Sequence, residues 1–298
     1  MKIHDDEAGS VRELDDGTTE TAGFIEVDGQ RMYHVTRAPA GDVRACMTIC
    51  PAVGGEFDGG YRRQTLLARA LADHGVATRR IHYRGTGNSE LFTEALRTTM
   101  IADATAAAAD LAGSYPEIPQ IVLGERVGAL VAAEVARAVS ADHLVFWHPV
   151  TDITAYVREL GRAAKLQKVA TGRDEAGDEA AATFRDDYAD GVGDLVGFSV
   201  VRATLESFEG HKLVDSPPPE GCSVDLFQFG RKSLDPKYTK LFGEWDGVRA
   251  RDHLVDEAEI WWFAPGPWKR GEEGRPVTVA VLEATLPVID ELTKTEAA

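Results

Sequence analysis

Two hydrophobic rhythms alternate along this chain. Short apolar runs at Arg44–Ile49, Val76–His82, Ile121–Leu123 and His143–Trp147 read as strands. Between them, Tyr61–His74 places Leu66, Leu67, Ala70 and Leu71 at helical spacing, with Gly75 as its stop, and Thr98–Ala112 is an Ala-rich helix. This alternation over 44–148 predicts a parallel sheet with right-handed crossovers. Ahead of it, Gly23–Val27 and Arg31–Arg37 read as a hairpin turned by Asp28-Gly29. Residues 1–22 are polar and acidic and are expected to form a flexible N-terminal segment. Behind the alternation the rhythm breaks. Helical patterns at Ala155–Val169, Glu179–Tyr188 and Val192–Glu209, closed by Pro217–Pro219, predict a helical lid over 151–221. A strand at Ser223–Phe229, a helix at Pro236–Gly243, a last strand at Glu259–Phe263 and a helix at Pro276–Leu292 then complete a core built from 23–150 and 222–298.

Composition narrows the functions this pattern can serve. A hydrophobic content of 44% is ample for a large core, and the net charge of −17 comes without any clustered basic stretch, which argues against nucleic acid as a partner. The three cysteines, Cys46, Cys50 and Cys222, lack paired metal-ligand spacing, so no metal and no cofactor is expected, and buried thiols are the plain reading. No stretch of 18 apolar residues occurs and no apolar segment follows a basic N-terminus. A cytoplasmic protein with no membrane partner is the expectation. The sequence does not speak to the oligomeric state.

In parallel sheets, ligands bind beyond the carboxyl ends of the strands. The loops at 50–57, 83–89, 124–128 and 148–152 are therefore expected to converge. The most informative of them is Gly124-Glu125-Arg126-Val127-Gly128, a strand-to-helix turn with the outline of a G-x-S-x-G nucleophile elbow. Its centre is Arg126. A guanidinium stays protonated and offers no lone pair, so it cannot attack a carbonyl. Arg126 has two readings: a bidentate clamp for a substrate carboxylate, or an internal ion pair with Glu125, Glu56 or Asp235.

Taken in order, hairpin, Gly-rich loop, elbow, lid, later strand and terminal helix, with His82-Tyr83-Arg84-Gly85-Thr86-Gly87-Asn88-Ser89 after the strand at 76–82, the chain resembles the α/β-hydrolase superfamily over about 23–292. The segments Gly124–Leu130, Phe146–Val150 and Gly266-Pro267-Trp268 are similar to hydrolases associated with exosortase systems, in which an Arg commonly stands at the elbow centre. The resemblance implies a chain order of nucleophile, acid, histidine. The nucleophile slot holds Arg126, the acid slot Asp235, and the expected histidine slot, 263–268, holds Trp268 and no His. His253 precedes the expected last strand. Loss of nucleophile and base removes most of the acyl-enzyme route.

The electrophile side survives: backbone N–H groups of Val53 or Gly54 and of Val127 form a candidate oxyanion hole. A hole without a nucleophile still stabilises an enolate. The leading expectation is thus a non-hydrolytic enzyme that isomerises or epimerises a peptide-like or acyl substrate next to a carbonyl or thiazoline. The epimerase of bottromycin-type peptide biosynthesis is an analogy within the fold. His148 is the candidate base, or else a hydrogen-bonded strand-end histidine. Glu56, Phe57, Glu125, Arg126, Asp235 and Trp268 are candidate substrate contacts. The alternatives are a hydrolase or thioesterase with a displaced nucleophile, and a ligand-binding protein without turnover.

Overall fold

A computed structural model describes residues 10–90, 96–159, 192–195, 198–230, 232–256 and 279–294. The central feature is a nine-stranded sheet. Its strands are β1 (Ser10–Glu13), β2 (Thr19–Val27), β3 (Gln30–Ala38), β4 (Ala45–Cys50), β5 (Val76–Ile81), β6 (Gln120–Glu125), β7 (His143–Trp147), β10 (Ser223–Phe229) and β11 (Arg249–Val255). They lie in the order β1-β2-β3-β5-β4-β6-β7-β10-β11. From β5 to β11 every neighbour pair is parallel, while β1, β2 and β3 run antiparallel to their neighbours.

The parallel strands β4, β5 and β7 are buried throughout, as a sheet covered on both faces requires. Helices α2 (Arg97–Ser114) and α3 (Gly128–Ala138) cover one face through an Ala-rich surface that lets helix and sheet approach closely. Helix α1 (Gly55–Asp73) and the C-terminal helix, Val279–Lys294, cover the other over Met47, Ile49, Leu123, Val145 and Trp147. Trp147 is fully buried there, and its indole N–H donates to Thr285 Oγ1 at 3.1 Å.

Several boundaries differ from the sequence-based ones. Residues 10–22, expected to be flexible, hold β1 and the start of β2, because pairing with β3 supplies the order that composition lacks. The loop expected over 50–57 is cut short. Helix α1 begins at Gly55, with Glu56 and Asp58 in its first turn, where acids complement the helix dipole. The helix expected at Val192–Glu209 is instead a two-stranded ribbon, β8 (Val192–Leu195) and β9 (Phe198–Val201), followed by α4 (Arg202–Glu206). Valines spaced by glycine suit strands better than a helix. Of the remaining lid segment, 153–159 is helical and 160–191 lies outside the described residues, as does the strand expected at 259–263. The last described strand, β11, is one that the periodicity misses. Arg-Ala-Arg-Asp-His-Leu-Val shows no apolar alternation because it is a half-exposed edge strand. His253 lies inside it.

Candidate functional site

Strand β6 extends through Gly124 and Glu125, the chain turns at Arg126, and α3 starts at Gly128. Arg126 has φ 53°, the left-handed region that costs an L-residue energy and that nucleophile elbows use. Both flanking glycines are required sterically. A Cβ at Gly124 would lie 2.6 Å from Ala129 Cα, and one at Gly128 would fall on the carbonyl oxygens of Cys50 and Pro51. The turn is pinned by Arg126 N–H to Trp147 O at 3.0 Å and by Val150 N–H to Arg126 O at 3.0 Å. The elbow geometry is therefore fully built around a residue that cannot be the nucleophile.

The chain has the α/β-hydrolase fold. A model of the serine aminopeptidase family S33 matches residues 43–186. The solved structure of a thermostable carboxyl esterase from Bacillus coagulans is similar at TM-score 0.60 and 10% identity, covering 92% of this chain and 99% of that one. Proline iminopeptidase from Mycobacterium smegmatis is similar at TM-score 0.55 and 14% identity, over 91% and 97% of the two chains. A lipase in its open form is similar at TM-score 0.59 and 16% identity, over 93% and 100%. Identities this low support the fold alone. No curated protein matches the chain. No described helix is long and apolar enough to cross a membrane.

Within this fold, Arg126 is 2% exposed and its guanidinium makes three hydrogen bonds within the chain. Its Nε donates to Glu56 Oε1 at 2.9 Å, Nη1 to His148 O at 3.1 Å and Nη2 to Glu159 Oε1 at 3.1 Å. Tyr156 completes the cluster: its O–H donates to Glu56 Oε2 at 2.7 Å, and its ring lies under the guanidinium, 5.5 Å from centroid to Arg126 Cζ. Burial alone would favour the neutral guanidine, but Glu56 and Glu159 outweigh it and hold Arg126 charged. The two acids differ in setting. The Glu56 side chain is 3% exposed and that of Glu159 is 41% exposed.

Of the two sequence readings of Arg126, internal pairing is therefore realised, with Glu56 as the inner partner. Asp235 and Glu125 are not among its hydrogen-bond partners. Asp235 is the N-cap of α5 (Pro236–Glu244), accepting the Lys237 N–H at 3.0 Å. Glu125 points the other way, against α1. It accepts from Gln64 Nε2 at 2.7 Å, and a Cβ on Gly60 would stand 2.5 Å from its carboxyl oxygens. Burial pushes its carboxyl up to about 7, against the Gln64 hydrogen bond and the Arg63 charge.

His148 also has φ > 0, at 43°, and sits at the strand end as expected. Its Nδ1 accepts the Phe229 N–H at 3.0 Å, so the neutral ring carries its proton on Nε2. The tautomer is a donor, and the lone pair a general base needs is taken. The candidate oxyanion donors fare better. Among the described residues neither the Val53 nor the Val127 N–H meets an acceptor, and Gly54, at φ 59°, turns the chain between β4 and α1. Phe57 packs away from Arg126, its ring 5.0 Å from that of His82. Trp268 lies outside the described residues. No histidine follows His253 in the sequence.

Sequence reasoning missed Tyr156 and Glu159. Their spacing of three on the helical run 153–159 places them on one face, and that was the available signal.

Proposed function

We propose that this hydrolase-fold protein binds a carboxylate-bearing acyl or peptide-like small molecule at the elbow and acts on it without an acyl-enzyme. The reading rests on how Arg126 divides its partners. Glu56 is buried and neutralises the guanidinium permanently. Glu159 is half-exposed and occupies, from within the chain, the place that a substrate carboxylate takes. The substrate exchanges with Glu159 on Arg126 Nη2, while the Val53 and Val127 N–H groups receive its carbonyl oxygen. That arrangement supports proton removal beside the carbonyl, hence isomerisation or epimerisation. Glu56 is held by Arg126 and Tyr156 and His148 Nδ1 by the Phe229 N–H, so the proton acceptor is the oxygen of the substrate's own carboxylate that Arg126 Nη2 does not hold.

The test is calorimetric titration with hexanoate, using hexanamide as the uncharged comparison. Glu159→Gln weakens the internal competitor and is expected to tighten hexanoate binding about tenfold, with hexanamide unchanged. Equal affinity in the variant and the parent would sink the clamp. For the chemistry, α-hydrogen exchange in deuterated water on carboxylate-bearing peptides is expected above background. The hydrolase reading is kept alive by a separate cluster of side chains at the other end of the sheet.

A further inference from the structure

At the amino ends of β7, β10 and β11, far along the strands from the elbow, three side chains form a relay. His143 and Ser223 are register partners on β7 and β10, and Asp225 follows Ser223 on the same face. Ser223 Oγ is 2.6 Å from His143 Nδ1, and His143 Nε2 is 3.0 Å from Asp225 Oδ2. The second contact is turned off the ring N–H axis, so it is a close polar contact more than an aligned hydrogen bond. Asp225 is itself held by Arg251, with Nε at 2.9 Å and Nη2 at 3.0 Å, and by His253 Nε2 at 2.5 Å. Burial opposes the charge on Asp225, but the close contact from His143 and the hydrogen bonds from His253 and Arg251 keep it ionised. The bidentate Arg251 also opposes any cation there, and no described group of His, Cys, Asp and Glu has the arrangement of a metal site.

Asp225 is fully buried and His143 nearly so, while Ser223 is half-buried and reaches a cavity of about 500 Å³. Arg44, Asp142, Arg249, Arg251 and Glu291 line the same cavity. Arg251 is matched by Asp225 and Glu291. Arg44 and Arg249 donate to backbone carbonyls, His74 O at 2.6 Å and Gly221 O at 3.3 Å, and neither has a carboxylate partner among the described residues. Two acids of this chain thus match Arg251, while the other two arginines meet backbone carbonyls at the cavity.

We propose that Ser223, His143 and Asp225 form a second, hydrolytic centre, independent of the elbow, that cleaves small esters carrying a free carboxylate. Ser223 Oγ attacks the ester carbonyl carbon as His143 Nδ1 takes the hydroxyl proton. The tetrahedral adduct collapses, the C–O bond to the leaving alcohol breaks, and His143 returns the proton to that oxygen. Water repeats the sequence on the acyl-Ser223, with His143 again as base, releasing the acid and restoring the serine. Asp225 holds the proton-bearing Nε2 side of the ring and stabilises the imidazolium formed in each half. Arg44 and Arg249 hold the substrate's carboxylate.

The full chain is treated with a fluorophosphonate probe and the adduct located by peptide mapping. In parallel, cleavage of 4-nitrophenyl hydrogen glutarate is followed for the parent and for Ser223→Ala, with 4-nitrophenyl butyrate as the neutral comparison. The expected result is one adduct, on Ser223, at least a hundredfold loss of glutarate-ester cleavage in Ser223→Ala, and a parental preference for the anionic ester. Mapping on the parent protein does not depend on how the variant folds. An unlabelled protein, an adduct on another residue, undiminished cleavage by Ser223→Ala, or no preference for the anionic ester overturns the proposal. None of these outcomes bears on hexanoate binding at the elbow, so the two sites stand or fall separately.

Discussion

Replacing Arg126 by leucine removes the cation beside Glu56, a buried carboxylate that keeps the Tyr156 hydroxyl as a donor at 2.7 Å. Breaking a buried ion pair from one side typically costs about 3–5 kcal/mol, because the surviving charge is uncompensated. Retention of the Tyr156 bond places Arg126→Leu near the lower end, about 3 kcal/mol, which for a large domain lowers Tm by roughly 6–12 °C. The double variant Arg126→Leu/Glu56→Leu removes both charges and is expected to recover most of the loss, since an apolar replacement of a buried pair is often neutral. Urea denaturation followed by circular dichroism measures the stability of the single and of the double variant. If Arg126→Leu costs under about 1 kcal/mol, or if the double variant is less stable than the single, the ion pair is not what holds the elbow and the reasoning fails.

Glu125 gives a pH test. Burial raises its carboxyl from the ordinary value of about 4.5 to about 7 in the folded chain, so its contribution is complete below the lower value and is lost as pH rises to the upper one. A shift of that size is worth about 3 kcal/mol. Glu125→Gln should therefore flatten the stability profile between those two pH values and be the more stable protein at pH 8; an unchanged slope in denaturation midpoints would refute it. Gly128→Ala sets two effects against each other. Helix propensity favours alanine by about 1 kcal/mol, but the Cβ would run into Cys50 O and Pro51 O, and overpacking of this kind costs about 1–3 kcal/mol. Net destabilisation is expected in thermal melts, and a stabilised variant would show that the elbow relaxes more freely than its contacts imply.

What could be read from the sequence was whatever repeats locally. β7 and β10 fall at the expected residues, and the Asp28-Gly29 turn, with φ 50° and 74°, joins β2 to β3 as its dipeptide requires. The two elbow glycines were legible for the same reason, since the constraint on each lies within a few residues. β11 was not, because an edge strand rich in Arg, Asp and His carries no apolar alternation. The fate of Arg126 was open in the sequence because its partners are 70 and 33 residues away, and nothing local distinguishes Glu56 from Asp235 as the one that meets it. The Ser223–His143 contact spans 80 residues and comes from strand register alone, so it emerges only once β7 and β10 are known to be neighbours.

The closed charge cluster at the elbow has a consequence for routes through sequence space. Arg126→Ser alone would strand Glu56 and Tyr156 in a buried site and would still find no histidine after β11. Restoring an ordinary serine esterase in this scaffold needs a coordinated exchange at Arg126, Glu56 and Tyr156 and a histidine brought in beyond β11. Each intermediate on that path carries an unmatched charge or an unassisted nucleophile. Single-site libraries built on this protein should therefore recover no elbow esterase, however many positions they sample.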